Sequence, residues 1–273
     1  MEFGSDAVPL IYGGTYFGII ALIAAAEAMS PRRAVSASLR ARWSVNLILT
    51  ALDTALIRLL IPVTSVALAL FLAERGWGLL NTVELPQWLA FGLCLIALDL
   101  GRYTFHWLLH RVPALWRLHA VHHSDTDYDF TTALRFHPLE ALLTVSWSLA
   151  VVALLGPPVE ALIVTECAFI VCSMFTHANV RLPPGVDAVL RRLVVTPDLH
   201  RIHHSADVSE SEANFGTILP WWDRLFGTYK AWPALSHATM MIGLADLRDP
   251  RALTLPRLLL APFQPARREN SIL

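Results

Sequence analysis

Eleven histidines occur in this chain, and none of them falls before residue 106. Eight stand in three boxes: His106-Trp107-Leu108-Leu109-His110, His119-Ala120-Val121-His122-His123 and His200-Arg201-Ile202-His203-His204. Helix geometry puts residues i and i+4 on one face, so His106 and His110 could address one metal ion, and the other boxes combine i+3 and i+4 positions. Adjacent histidines point about 100° apart, so His122 with His123, and His203 with His204, could each serve two ions. A zinc site takes three or four protein ligands, so eight or nine imidazoles exceed one site and suggest two metals. Imidazole suits iron, copper, nickel and zinc alike. Without metal, that many polar rings beside lipid would be costly.

Two familiar metal chemistries fit poorly. A zinc peptidase needs a glutamate after the first histidine of its helix as general base, and here Trp107 holds that position. A membrane cytochrome sets its axial histidines within facing spans, whereas these boxes follow the third apolar run or lie towards the C-terminus. His237 stands alone and reads as a core or interfacial side chain.

The elements that must carry the boxes are membrane helices. Of 273 residues, 55% are hydrophobic and only 16% charged, which points to the bilayer as solvent. A net charge of −1 offers no basic stripe for nucleic acid. Cys94, Cys167 and Cys172 lie in apolar stretches without paired spacing and read as small buried hydrophobes. Apolar runs at about 9–29, 44–73 and 86–105 have the ~20-residue length of a membrane crossing. A further pair, 139–155 and 158–176, is joined by Gly156-Pro157-Pro158 and either spans or dips in. Met1 to Ser5 read as a cloning remnant, and no basic stretch precedes the first apolar run, so no cleaved signal peptide is expected.

Arg32, Arg33, Arg40 and Arg42 follow the first run without an acid, which assigns that loop to the cytoplasm. Five crossings then put all three boxes in the same compartment. Beyond Ala178, Arg181, Arg191 and Arg192 alternate with Val189, Leu190, Leu193 and Val194 in a pattern suited to an interfacial helix capping the site. Trp221 and Trp222 suit either an anchor at the headgroups or ordinary packing. The expected architecture is all-α: a membrane bundle of four to five helices over residues 1–273, with a cytosolic helical cap holding a dimetal site.

In their order HWLLH, HAVHH and HRIHH, the boxes resemble those of the fatty acid hydroxylase and sterol desaturase superfamily. The flanks LWRLHAVHHS, TTALRFHPLE, HANVRLP, TPDLHRIHH and NFGTILPWWDRLFGTY are similar to its bacterial sterol-desaturase-like members, over about residues 95–230. The resemblance implies a di-iron site held by His106, His110, His119, His122, His123, His200, His203 and His204, with His177 of the HANV segment as a further ligand. His137 has no evident counterpart in the fatty acid 2-hydroxylases, whose first box is one residue longer, so it reads as a spare ligand or a support. Metal-bound imidazoles usually donate their other N–H to a carboxylate or carbonyl. Asp99, Asp125, Asp127, Asp129, Glu140 and Asp198 lie near the boxes in sequence, with Asp99, Asp127 and Asp198 singled out as supports.

The activity so implied is oxidation of an unactivated lipid C–H bond by dioxygen at two irons, giving an alcohol or an alkene. Zinc is a conceivable substitute in purified material. With no residues left for a redox domain, a separate reductase, ferredoxin or cytochrome would deliver two electrons. The expected location is a bacterial inner membrane, active site towards the cytoplasm. The alternative is a membrane-embedded divalent-metal hydrolase acting on lipids. A metal transporter ranks below both, because its ligands should line a crossing path.

Overall fold

The computed structural model describes residues 7–35 and 39–264. Residues 1–5, read as a cloning remnant, lie outside the described residues. Within them the chain is helical, with no strand and two isolated β-bridges, Pro31 with Val180 and Ser205 with Ile242.

Five stretches are long and apolar enough to cross a membrane. They are α1 (Ala7–Met29), the Leu39–Asn81 stretch, α4 (Gln87–Arg111), α6 (Pro138–Leu155) and α7 (Val159–Thr176). In α1 only Ile23 is buried, while Leu10, Phe17 and Leu22 are exposed. Each such side chain left in water would forgo about 1.5–3 kcal/mol of burial, so the exposed surface is one that lipid must cover.

The apolar run 44–73 is not one helix. It divides into α2 (Leu39–Leu60) and α3 (Ser65–Arg75) at Ile61-Pro62-Val63, because proline lacks the N–H that would continue the ladder. Thr64 restarts the chain by accepting the Ala67 N–H. The pair α6 and α7 forms a hairpin of two full-length helices. At its bend Gly156 has φ 60°, and a Cβ there would lie 2.5 Å from the Trp77 carbonyl, so the tight approach of residues 77–78 requires glycine.

Odd crossings place the C-terminal ends of α1, α4 and α7 and the N-terminal ends of α2 and α6 at one end of the bundle. The opposite end is closed by an apolar cluster of Ala69, Leu72, Cys94, Leu98, Val152, Leu155, Ala161 and Leu162. Specific polar contacts bind the spans laterally. Tyr12 of α1 hydrogen-bonds Glu166 of α7, Trp147 Nε1 donates to the Gly101 carbonyl at 2.8 Å, and the Arg102 guanidinium sits 3.4 Å from the centre of the Phe169 ring.

Short elements assemble at the polar end. These are α5 (Pro113–His123), α8 (Pro184–Leu190), α9 (Pro197–His203), α10 (Val208–Ser211), α11 (Trp221–Phe226) and α12 (Leu255–Leu260). Proline at the first helical position starts α5, α6 and α9, where a missing N–H costs nothing. The amphipathic helix expected around 181–194 is only the seven-residue α8.

The arginines after α1 do more than bias orientation. Arg32 pairs with Asp198 at 3.1 Å, and the Arg42 guanidinium pairs with Asp125 and Asp129, each at 2.7 Å, in a buried setting. They fasten the loop and the start of α2 to the segments that carry histidine.

Candidate metal centre

Nine imidazoles converge at this polar end in two groups. His106, His110, His119, His123 and His203 form one, and His122, His177, His200 and His204 the other; within each, one nitrogen per ring lies within 4.8 Å of the rest. All are buried except His106, which is partly open. The helical spacing explains the sorting. The i, i+4 pairs His106 with His110, His119 with His123, and His200 with His204 stay together, whereas the adjacent pairs at 122–123 and 203–204 divide between groups.

In the larger group four of the five rings are held from behind. His106 Nδ1 faces the Phe215 carbonyl at 2.7 Å and His203 Nδ1 the Ala213 carbonyl at 2.8 Å. His119 Nδ1 lies 2.6 Å from Glu140 Oε1, and His110 Nδ1 3.3 Å from Glu212 Oε1. A carbonyl or carboxylate can only accept, so Nδ1 carries the proton and Nε2 presents a lone pair. All five Nε2 atoms are buried without a protein partner.

In the smaller group two rings rest on carbonyls, and the Nδ1 atoms of His200 and His204 are buried without a partner. His122 Nδ1 faces the Arg135 carbonyl at 3.2 Å and His177 Nδ1 that of Ser173 at 2.8 Å. The Nε2 atoms of His122 and His177 are then both unprotonated, yet they lie 3.2 Å apart, and His200 Nε2 is also 3.2 Å from His177 Nε2. Facing lone pairs at that distance repel unless a cation lies between them. Two nitrogens each ~2.1 Å from one shared ion would be about 3.0–3.4 Å apart, so the spacing fits a metal.

Burial keeps these rings neutral. Desolvation pushes His119 down to about 3 and His177 to about 4, and takes His122, His123, His200, His203 and His204 well below the usual imidazole range. Neutral imidazole is the form that binds metal. No carboxylate belongs to either group of nitrogens, so the donor set is all-imidazole and suits iron, copper, nickel or zinc.

A buried polar lattice fixes the 121–135 segment. Arg135 donates to Asn46 Oδ1 (2.9 Å), Ser124 Oγ (2.8 Å) and the Val121 carbonyl (3.0 Å), while its own carbonyl supports His122. Asp125 accepts from Arg42 and from the Thr132 hydroxyl, and Asp129 from Arg42 and Trp43.

The proposed supports fall elsewhere. Asp99 accepts from Trp222 Nε1 at 2.8 Å and Leu219 N at 3.2 Å, tying down the 219–222 segment. Asp198 binds Arg32 and Arg201, with His237 Nε2 at 3.5 Å, which places buried His237 outside both histidine groups. Asp127 is buried in the 125–129 turn near Arg33. His137 uses both nitrogens on backbone: Nδ1 accepts from Leu139 N, capping α6, and Nε2 faces the Leu259 carbonyl at 3.2 Å, so it is no ligand here. Of the acids near the boxes, Glu140 reaches a clustered ring; Glu212, its counterpart at His110, escaped the sequence reading because the contact spans 102 residues.

The fatty acid hydroxylase family model matches residues 91–228, half of the chain and all nine clustered histidines. Curated relatives include an ornithine lipid hydroxylase of Rhizobium tropici, 33% identical over 150 residues, covering 55% of this chain and 44% of the relative. An alkylglycerol monooxygenase of Danio rerio is 32% identical over 161 residues, covering 56% and 34%. Methylsterol monooxygenase 1 of Gallus gallus is 28% identical over 156 residues, covering 53% and 49%. The matched stretch thus spans less than half the length of each of these relatives. No solved structure matches the chain.

Proposed function

Because this chain belongs to the fatty acid hydroxylase family, we propose that it is a membrane oxygenase that oxidises an unactivated C–H bond of a lipid. Nine histidines hold two metal ions: His106, His110, His119, His123 and His203 one, and His122, His177, His200 and His204 the other. Iron is the metal of choice, since paired irons supply activation of dioxygen and attack on a C–H bond, and zinc lacks redox chemistry. The observation that carries this reading is the facing of unprotonated Nε2 atoms at 3.2 Å, backed by carbonyls that fix the tautomers. Relatives named for hydroxylation of ornithine lipid, alkylglycerol and methylsterol support a lipid as the substrate class.

The residues divide the labour. Glu140, Glu212 and four backbone carbonyls set ring orientation, so little reorganisation is needed when metal binds. The spans bring the substrate's hydrocarbon to the end of α4, where His106 is the ligand left partly open. Exclusion of water by the buried rings favours oxidation of lipid over wasteful side reactions. Two electrons per turnover come from a separate ferredoxin, cytochrome or reductase, and the arginine-bearing loop supports a cytoplasmic face for the site. Glu140 and Glu212 stand behind His119 and His110, away from the metal side, so neither is placed as the base a hydrolase would need.

The test is purification in mild detergent, metal analysis, and turnover with a chemical or enzymatic reductant. Two irons per chain and oxygen-dependent product are expected, with lipidomics of an expressing host, with and without His203→Ala, identifying the lipid. Turnover that proceeds without dioxygen, or with zinc alone, would overturn the proposal.

A further inference from the structure

Helices α8 and α11 are built inside out. On α8 and just beyond it, Val186, Val189 and Leu193 are exposed, while Asp187 and Arg191 are buried and paired with each other. Arg191 also donates to the Ala231 carbonyl at 2.9 Å and lies under the Trp232 ring. On α11, Trp221, Leu225 and Phe226 are exposed, while Asp223 is buried and accepts from Phe215 N and Gly216 N at 2.8 and 2.9 Å. A surface helix in water turns its apolar stripe inward. Here Asp187, Arg191 and Asp223 are inside and the apolar side chains outside, the arrangement expected where lipid is the solvent.

The two helices make one surface. Trp221 Nε1 donates to the Arg192 carbonyl at 2.8 Å, and Arg224 to the Arg191 carbonyl at 2.7 Å. That surface lies alongside a span. Phe226 stacks on Tyr103 at 5.4 Å, the Tyr103 hydroxyl bonds Thr228 Oγ1 at 3.0 Å, and Trp222 reaches Asp99. Asp99 is the central residue of α4 and Tyr103 lies one turn beyond it, both within the length that crosses the membrane. Exposed Arg181, Arg192 and Arg224 suit an anionic headgroup layer.

We propose that the α8–α11 face is seated in the bilayer leaflet next to the metal centre, with phospholipid acyl chains as its occupant. This rests on the membrane-spanning fold and not on the oxygenase reading. It also links lipid to the metal centre. Asp223 holds the Phe215–Gly216 backbone, and the Phe215 carbonyl is the support of His106, so the seated helix acts on a ligand through one turn of chain. A Cβ at Gly216 would lie 2.7 Å from the Leu219 carbonyl and 2.8 Å from Asp223, which leaves that turn no slack.

The test replaces Leu225, and in a second protein Val189, by the photocrosslinking residue p-benzoylphenylalanine in the full chain, reconstituted in phosphatidylethanolamine and phosphatidylglycerol vesicles. Illumination is expected to add the mass of one phospholipid at both positions. A covalent dimer through these positions would assign the face to a second copy, and no adduct would assign it to water; either overturns the proposal. Unmodified protein in vesicles containing a diazirine-bearing acyl chain gives a check free of substitution. Its adducts should map to 186–193 and 221–226 as well as to the spans, and adducts confined to the spans would refute it.

Discussion

The two histidine groups lie side by side, with the His123 and His204 rings stacked at 4.5 Å, yet they are supported differently. The five-membered group has two rings backed by carboxylates, whereas the four-membered group has two rings backed by carbonyls and two, His200 and His204, whose buried Nδ1 atoms meet no partner. A carboxylate behind an imidazole raises its basicity more than a carbonyl does, because it stabilises the charge that the ring donates to the metal. The first group therefore has one more ligand and stronger ones. The difference teaches that the pair should be unequal, with the five-membered group filling first and holding its ion longer.

The largest expected effect comes from removing a ligand of the weaker group. His177→Ala leaves three rings there and should reduce bound metal from two ions per chain to about one, with turnover down by at least about 100-fold. Metal analysis alongside product formation checks this. His203→Ala leaves four rings in its group, so it should retain more metal than His177→Ala while still losing turnover. Equal metal loss in the two variants would break the comparison.

Next come the carboxylates. Glu140→Gln should weaken metal binding by about 10–100-fold at the five-membered group and leave the other unchanged. Glu212→Gln should do less, because its contact is longer, 3.3 against 2.6 Å, and Glu212 also faces Arg111 at 3.5 Å. Titration against a competing chelator resolves the two affinities. A loss shared evenly by both ions would show that the groups act as one site.

How much of this could be read from sequence follows from the range of each interaction. Helix periodicity is local, so the pairing of His106 with His110 and the division of His122 from His123 were both readable from spacing. His177 carries no spacing signal and was named only through the HANV resemblance. Supports are long-range. Asp125 and Asp129 sit as near the boxes as Glu140 does, but the chain turns them towards Arg42, and nothing local distinguishes the three. The spans were readable because the bilayer fixes their length, while the break at Pro62 was hidden by the unbroken apolarity on either side. Around α8 the interfacial pattern was readable, but not that Asp187 and Arg191 turn inward as a pair, because that depends on contacts with distant segments.

Acid sharpens the comparison in the metal-free protein. An imidazole held below its ordinary value in the fold is protonated first in the unfolded chain, so folding stability is lost as pH falls below about 6.5, by about 1.4 kcal/mol per pH unit and per histidine. For His177 the loss should run down to about pH 4, and for His119 to about pH 3. Chelated protein should melt at progressively lower temperature from pH 7 to pH 5, and saturating metal should flatten the slope. A melting temperature that is independent of pH without metal would mean that these rings are solvated rather than packed.

The smallest expected effect tests the lattice behind the four-membered group. Asn46 Oδ1 accepts from Arg135, whose carbonyl supports His122, and Asn46 Nδ2 donates to Thr131 Oγ1 at 3.0 Å and Asp125 Oδ2 at 3.4 Å, so Asn46→Leu removes the charge-assisted bond to Arg135 together with these and should cost at least about 1.5–3 kcal/mol of stability. If the lattice only stabilises the fold, both ions will be affected equally. If it positions His122, the weaker ion should loosen while the Glu140-backed one stays, because Arg135 reaches no ring of the larger group through the contacts that fix it. Chelator titration of Asn46→Leu beside Glu140→Gln therefore asks one question from two sides, and opposite patterns of loss are the outcome that the two kinds of support require.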